Sequence, residues 1–415
     1  MVRRTLNKVA VTVLAVGCFL STTTSARALQ IGGGSQPVAA PESHCATAPP
    51  APTLAPGEAG PDLVWAQEKL GLSEAGVWYL NRGKDVTVAV LDTGVDPSNP
   101  VFSPNAVLPG PSVVDPGDTA DYDCSGHGTA VAAIIAGRQS GLFGFTGAAP
   151  EAKILPIRVT GEANRAATSV QLANAIRTAV AAGARILNIS VGVPDVSAEL
   201  RAAVQNALAS DVLIVAAVGA GTDKSYPAAL PGVLAVGAID DKGSAASFGQ
   251  APGVMIAAPG GRMAVPAAGY PNQLTTMEGT GLAVPFVAGT AALVLSYRPN
   301  LHNWQVVKRL EATADQPANP ASPAATPSSP NAQTGYGVVD PYRAVAEDLP
   351  DERRPDPSVG PGEVVYPADA AVPGHDRGAS RLALGMSAAA VLALAAPVGF
   401  AAARRGRVKG PRAGV

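Results

Sequence analysis

Val86-Thr-Val-Ala-Val-Leu91 runs directly into Asp92-Thr93-Gly94. An unbroken apolar and β-branched run, closed by an acid and a glycine turn, predicts a short strand buried on both faces. An acid at the carboxyl end of such a strand stands where open α/β sheets build their sites. Taken alone, Asp92 reads first as a turn cap, so its neighbours must decide.

Outward from this strand the pattern recurs. Residues 152–157, 186–189, 212–216 and 233–236 are further short apolar runs, and 128–136, 169–182, 198–210 and 285–297 read as helices. Strands alternating with helices from about 62 to 346 predict one α/β domain, a mostly parallel central sheet covered on both faces. No internal repeat is evident.

Composition narrows the function. Of 415 residues 47% are hydrophobic and only 4% aromatic, so a large core must be built from Ala, Val, Leu and Ile. Thirty Lys+Arg against 32 Asp+Glu give a net charge of -2, which provides no basic field for general nucleic-acid binding. The 45 glycines and 38 prolines stay below the ~25–30% that marks a disordered chain. Three cysteines exclude a disulfide-dense scaffold or a multi-Cys zinc fold, and no Asp/Asn-rich loop of the EF-hand type occurs. No metal or cofactor is expected.

Both ends read as membrane-directed. Met1-Val-Arg-Arg-Thr-Leu-Asn-Lys8 is a basic start, 9–20 an apolar run, and Ser25-Ala-Arg-Ala28 a cleavage site. Residues 1–28 are therefore expected to be a signal peptide cut after Ala28, because the apolar run is short for an uncleaved anchor. Residues 382–403 carry no charge and reach roughly 33 Å as a helix, enough for a bilayer core. Arg404, Arg405, Arg407, Lys409 and Arg412 follow. This predicts a single plasma-membrane span with a cytoplasmic tail (404–415) and the body outside. A buried Ala-rich helix is the alternative. Between the ends lie a Pro/Gly/Ala-rich extension (29–61), the α/β domain (62–346) and a linker (347–381).

Two further segments carry chemistry. Asp123-Cys124-Ser125-Gly126-His127-Gly128-Thr129 leads into an Ala-rich helix, and its glycines allow close approach to the imidazole. The other histidines, His44, His302 and His375, sit in linker-like stretches or beside a helix start and read as incidental. Glu278-Gly-Thr-Gly-Leu-Ala-Val-Pro-Phe-Val-Ala-Gly-Thr290 reads as a glycine turn feeding a buried helix, with Pro285 near the first turn. Cys18 leaves with the signal peptide. Cys45 and Cys124 then pair most simply as an extracytoplasmic bridge; alternatively Cys124, three residues before His127, is a thiol nucleophile.

Asp-Thr-Gly, Gly-His-Gly-Thr and Gly-Thr-x-x-Ala-x-Pro-x-Val-Ala-Gly, in this order, resemble the subtilisin (subtilase) family of serine peptidases. Asp92 and His127 are 35 positions apart, and His127 and Gly281 154. The resemblance spans most of 62–346 and implies a subtilisin-like three-layer sandwich. Signal peptide, Cys-containing extension, linker and C-terminal span, with 78–90 and Gly335-Tyr-Gly-Val-Val-Asp340, resemble the mycosins, membrane-anchored subtilases of type VII secretion systems. That resemblance implies a secretion membrane complex as partner. It also implies a Cys45–Cys124 bridge that ties the extension beside His127.

The departures are as informative. Asp92 and His127 match the family's acid and base, but Gly281 stands where the resemblance places the nucleophilic serine. Ala220, closing Ala216-Ala-Val-Gly-Ala220, stands at the oxyanion-hole asparagine. Thr280 precedes the nucleophile position, and one residue's displacement on a helix turns a side chain about 100° away. Asn188-Ile-Ser190-Val191-Gly192 matches the strand that pairs with a substrate backbone, which would bind an extended peptide by strand addition; a plain strand terminus is the alternative. Two functions follow: a non-catalytic subtilase with a scaffolding or peptide-binding role, or an active serine-type endopeptidase with a rearranged site.

Overall fold

The computed structural model describes residues 45, 49–54, 65–138, 145–161, 167–219, 224–249, 251–316 and 330–349. The predicted signal peptide, most of the extension and linker, the span at 382–403, the basic tail and Ala220 lie outside the described residues.

Among the described residues six strands form one parallel sheet. They are β1 (Thr87–Asp92), β2 (Lys153–Arg158), β3 (Ile186–Ile189), β4 (Leu213–Ala217), β5 (Leu234–Ile239) and β6 (Ile256–Pro259), in the order β2-β1-β3-β4-β5-β6. Four of the expected strands end one or more residues beyond their apolar runs. In β1 and β2 the ladder continues through Asp92 opposite Arg158, because backbone hydrogen bonding rather than hydropathy sets the pairing.

Both faces of the sheet are buried, which explains the continuous apolar runs. Val88, Val90, Ile154, Ile186, Val215 and Val236 enter one core, with α2 (His127–Ala136) and α5 (Thr280–Tyr297). Ala89, Leu91, Leu155, Ile157, Leu187 and Ile214 enter the other, with α3 (Ser169–Ala181) and α4 (Ala198–Ala209). The helix starts follow capping chemistry. Thr168 and Gln171 form a capping box before α3, and the Ser197 hydroxyl accepts the Leu200 N–H at 3.1 Å before α4.

Several features differ from the sequence reading, β6 among them. An antiparallel hairpin, β7 (Met263–Pro266) with β8 (Leu274–Met277), precedes α5; its four-residue strands are too short to show alternation. And α5 begins at Thr280, so Pro285 lies inside the helix rather than near its first turn. Proline has no N–H for the carbonyl four residues back, which is that of Gly281. The Ser190 hydroxyl donates to that carbonyl instead, at 2.8 Å. Among the described residues α5 is also the helix long and apolar enough to cross a bilayer, but nearly all of it is buried, as befits a core helix.

Candidate active site

Asp92 has the same parity along β1 as Val88 and Val90, so its side chain leaves the sheet on the α2/α5 face. It is fully buried. Its Oδ1 accepts the Thr93 N–H at 2.8 Å and faces His127 Nδ1, also at 2.8 Å. His127 is the first residue of α2. The turn before it needs a left-handed residue, Gly126 at φ 82°. At Gly128 a Cβ would fall 2.1 Å from the Gly94 carbonyl oxygen, so only glycine lets α2 start against the β1 turn.

Asp123 holds this loop, a role the sequence reading did not assign. Its Oδ1 accepts from the Thr93 hydroxyl (2.8 Å) and from the N–H groups of Ser125 (3.1 Å) and Gly126 (2.9 Å). Its Oδ2 accepts from the Thr129 N–H (2.8 Å) and hydroxyl (2.7 Å). The Thr93 hydroxyl in turn accepts the Gly128 N–H at 3.0 Å. The only sequence signal was an acid four residues ahead of a histidine in a Gly/Ser-rich turn, the setting in which Asp bonds nearby backbone. Burial pushes the Asp123 carboxyl above its ordinary range, against the pull of these hydrogen bonds. For His127, burial favours the neutral ring. The charge and hydrogen bond of Asp92, with the charge of Asp123, act oppositely and leave its pKa raised.

Gly281 closes the arrangement. It is buried in the first turn of α5, and its φ lies outside the left-handed region. A Cβ here would stand 3.2 Å from His127 Nε2, 3.3 Å from Cε1 and 2.9 Å from the Ser190 carbonyl oxygen. Position 281 therefore faces the nitrogen of His127 that Asp92 does not hold. The two other hydroxyl and thiol candidates are engaged elsewhere. Thr280 donates its hydroxyl to the Val218 carbonyl at 3.0 Å, and Cys124 is bonded to Cys45. An oriented imidazole is thus assembled, among the described residues, with no side-chain nucleophile in front of it.

Ser190, Val191 and Gly192 follow β3 directly. Ser190 is buried and its hydroxyl accepts from Asn188 Nδ2 at 3.0 Å while donating to Gly281. Val191 is half-buried and Gly192 exposed. Val193 exchanges two 2.9 Å backbone hydrogen bonds with Tyr226. The described part of the extension lies on the hairpin: the Thr276 N–H donates to the Thr53 hydroxyl at 2.9 Å. The buried Arg158 stacks 3.4 Å over the Tyr122 ring and donates to the Tyr122 carbonyl, securing the chain that leads into Asp123. His302 caps α6 (Asn303–Thr313), far from this chemistry in role. Among the described residues no group of three or more His, Cys, Asp or Glu is placed to hold a metal ion.

Comparison with known proteins agrees with this geometry. A model of the subtilase family (peptidase S8) matches residues 83–337. Subtilisin BL of Lederbergia lenta is 37% identical over 236 residues, 56% of this chain and 84% of that protein. MycP1 from Mycobacterium smegmatis superposes with a TM-score of 0.62 at 27% identity, over 76% of this chain and 92% of its own. The MycP3 protease from the type VII (ESX-3) secretion system does so with a TM-score of 0.58 at 34% identity, over 74% of this chain and 93% of its own. The chain belongs to the subtilase (peptidase S8) family and is related to the mycosin proteases of type VII secretion.

Proposed function

We propose that this protein is a membrane-anchored, mycosin-like subtilase without peptidase activity. It serves a type VII secretion membrane complex as a scaffold, or by holding an extended peptide along Ser190–Gly192 without cutting it. The observation that carries this reading is Gly281, which presents no side chain to His127 Nε2. Without a nucleophile no acyl-enzyme forms. In subtilisin itself, loss of the serine costs about 10⁶ in turnover. Loss of the asparagine donor, the change that Ala220 represents, costs about 10²–10³ there. The two do not multiply, since the donor stabilises an oxyanion that only nucleophilic attack creates.

The retained Asp92–His127 pair favours a second reading, an active serine-type endopeptidase with a rearranged site. That reading needs another nucleophile, and the Thr280 hydroxyl and Cys124 sulfur are both engaged. A fluorophosphonate probe, with an active mycosin as control, separates the two: no labelling is expected here, and labelling of the wild type would sink the inactive reading. The scaffold role is tested in cells. His127→Ala should restore secretion to a deletion strain as fully as the wild type does, and failure to restore it would favour the peptidase. The proposed topology places the body outside and the C-terminus inside. Protease added to intact spheroplasts should remove the body and spare a tag after Val415; a tag cleaved from outside would overturn the orientation.

A further inference from the structure

The imidazole is prepared for proton transfer although, among the described residues, no side chain delivers a proton to Nε2. We propose that His127 acts as general base on a water molecule standing in front of Gly281, giving this protein a slow, acyl-enzyme-free hydrolysis of activated esters and thioesters. The inference rests on the preceding reading that no side chain serves as nucleophile.

The geometry is specific. Nδ1 is held by Asp92 at 2.8 Å, so its proton stays on that side and Nε2 is left as the acceptor. The point where a Cβ would stand on Gly281 is 3.2 Å from Nε2. With a Cα–C bond of about 1.5 Å, Nε2 is then at most about 4.7 Å from the Gly281 Cα. A water in contact with that carbon on the imidazole side can therefore also bond Nε2 at about 2.8–3.0 Å. A serine side chain would fill the same space. The Ser190 carbonyl oxygen, 2.9 Å from the same point, offers a second acceptor on that side. A water bonded to both directs a lone pair outward, toward a bound acyl carbon.

In the step itself the water oxygen forms a bond to the acyl carbon while Nε2 takes one of its protons. The tetrahedral species collapses by breaking the bond to the leaving oxygen or sulfur. The departing aryloxide or thiolate takes the proton from the imidazolium, which restores the neutral ring. Stabilised anions can leave in this way without an asparagine donor at position 220. An amide carbonyl is far less electrophilic than an activated ester, so its attack by water depends on the oxyanion donor that Ala220 lacks, and peptides are poor substrates. Asp92 from β1 bonds the ring and the charge of Asp123, in the loop ahead of α2, acts on it from further off, and both hold its pKa up. The rate should therefore rise with pH to a plateau reached above the ordinary histidine range.

The test uses p-nitrophenyl acetate and the full-length protein in detergent. Expected are turnover above buffer, no burst, a slower rate in deuterium oxide, and a loss of about 10²–10⁴-fold in His127→Ala. His127→Gln and Asp92→Asn provide independent variants should one fail to fold, as judged by thermal melting. A folded His127 variant as fast as the wild type overturns the inference. So does a rate unchanged in deuterium oxide, or an acetylated His127, either of which makes the imidazole a nucleophile. Fluorophosphonate labelling of the wild type is a different failure, because it sinks the inactive-peptidase reading itself.

Discussion

Gly281→Ser should turn an unlabelled protein into one that a serine-directed probe modifies. Position 281 does not need a left-handed residue, so the substitution carries no backbone strain. The new Cβ stands 2.9 Å from the Ser190 carbonyl oxygen, closer than a Cβ normally comes to a backbone atom, so the chain at Ser190 or at the start of α5 must shift. Overpacking of this kind costs about 1–3 kcal/mol, and replacing glycine within a helix returns roughly 0.5 kcal/mol. The net loss lowers the melting temperature by roughly 1–10 °C for a domain of this size. Chemically the gain is large, since the new hydroxyl starts from a carbon 3.2 Å from Nε2. Peptide turnover should stay low until Ala220→Asn is added, which should raise it by a further 10²–10³ or so. Labelling is read with a small fluorophosphonate and turnover with a peptide, so that covering of the cleft by the extension is distinguished from failed chemistry. A folded double variant that the small probe does not label would refute the reasoning. It would mean that Asp92 and His127 do not activate a hydroxyl at position 281.

Three further outcomes are expected. Joint replacement of Cys45 and Cys124 by serine opens a loop spanning 79 positions and should cost up to about 4 kcal/mol in the chain-entropy model. An unchanged thermal melt, with the native bridge verified by mass spectrometry, would contradict this. Glu311 in α6 is buried, and burial holds its carboxyl above the ordinary range in spite of Lys308. A raised carboxyl favours the protonated fold, so stability is lost as pH rises from the ordinary carboxylate range toward the folded value. Glu311→Gln should therefore raise the melting temperature at pH 7 and lose that advantage in acid, below the ordinary glutamate range; a lower melting temperature at pH 7 would count against it. Arg309, fully buried, donates to the carbonyls of Ala344 and Glu347 at 2.7 Å each and fastens α7 (Pro341–Ala346). Arg309→Leu leaves the buried Ala344 carbonyl without this donor, while the Glu347 carbonyl keeps Arg298, and should cost about 2–3 kcal/mol by denaturant melting. A loss under about 1 kcal/mol would refute the clamp.

Most of the sheet was legible because its strands are buried on both sides, so local composition alone marks β1 to β5. β6, Ile-Ala-Ala-Pro, was missed because two alanines and a proline do not mark a strand as the Ile-Leu-Asn-Ile of β3 does, and the β7–β8 hairpin because its short strands show no alternation. Asp92, His127 and the absence of a side chain at 281 were likewise visible, since residue identity and order along the chain are local facts. That Gly281 lacks a nucleophile needs no coordinates. That it faces His127 Nε2 does, because the two come together only when α2 and α5 pack on one face of the sheet. The same holds for Asp123, whose five hydrogen bonds join β1 to α2, and for Ser190, whose hydroxyl serves the carbonyl that Pro285 leaves without a donor. It holds too for the order β2-β1-β3-β4-β5-β6. Which residues are present, and which stretches can be strand or helix, follows from short-range covalent and steric preferences written along the chain. Which distant groups meet is decided by closure of the core, where every position depends on all the others that pack against it.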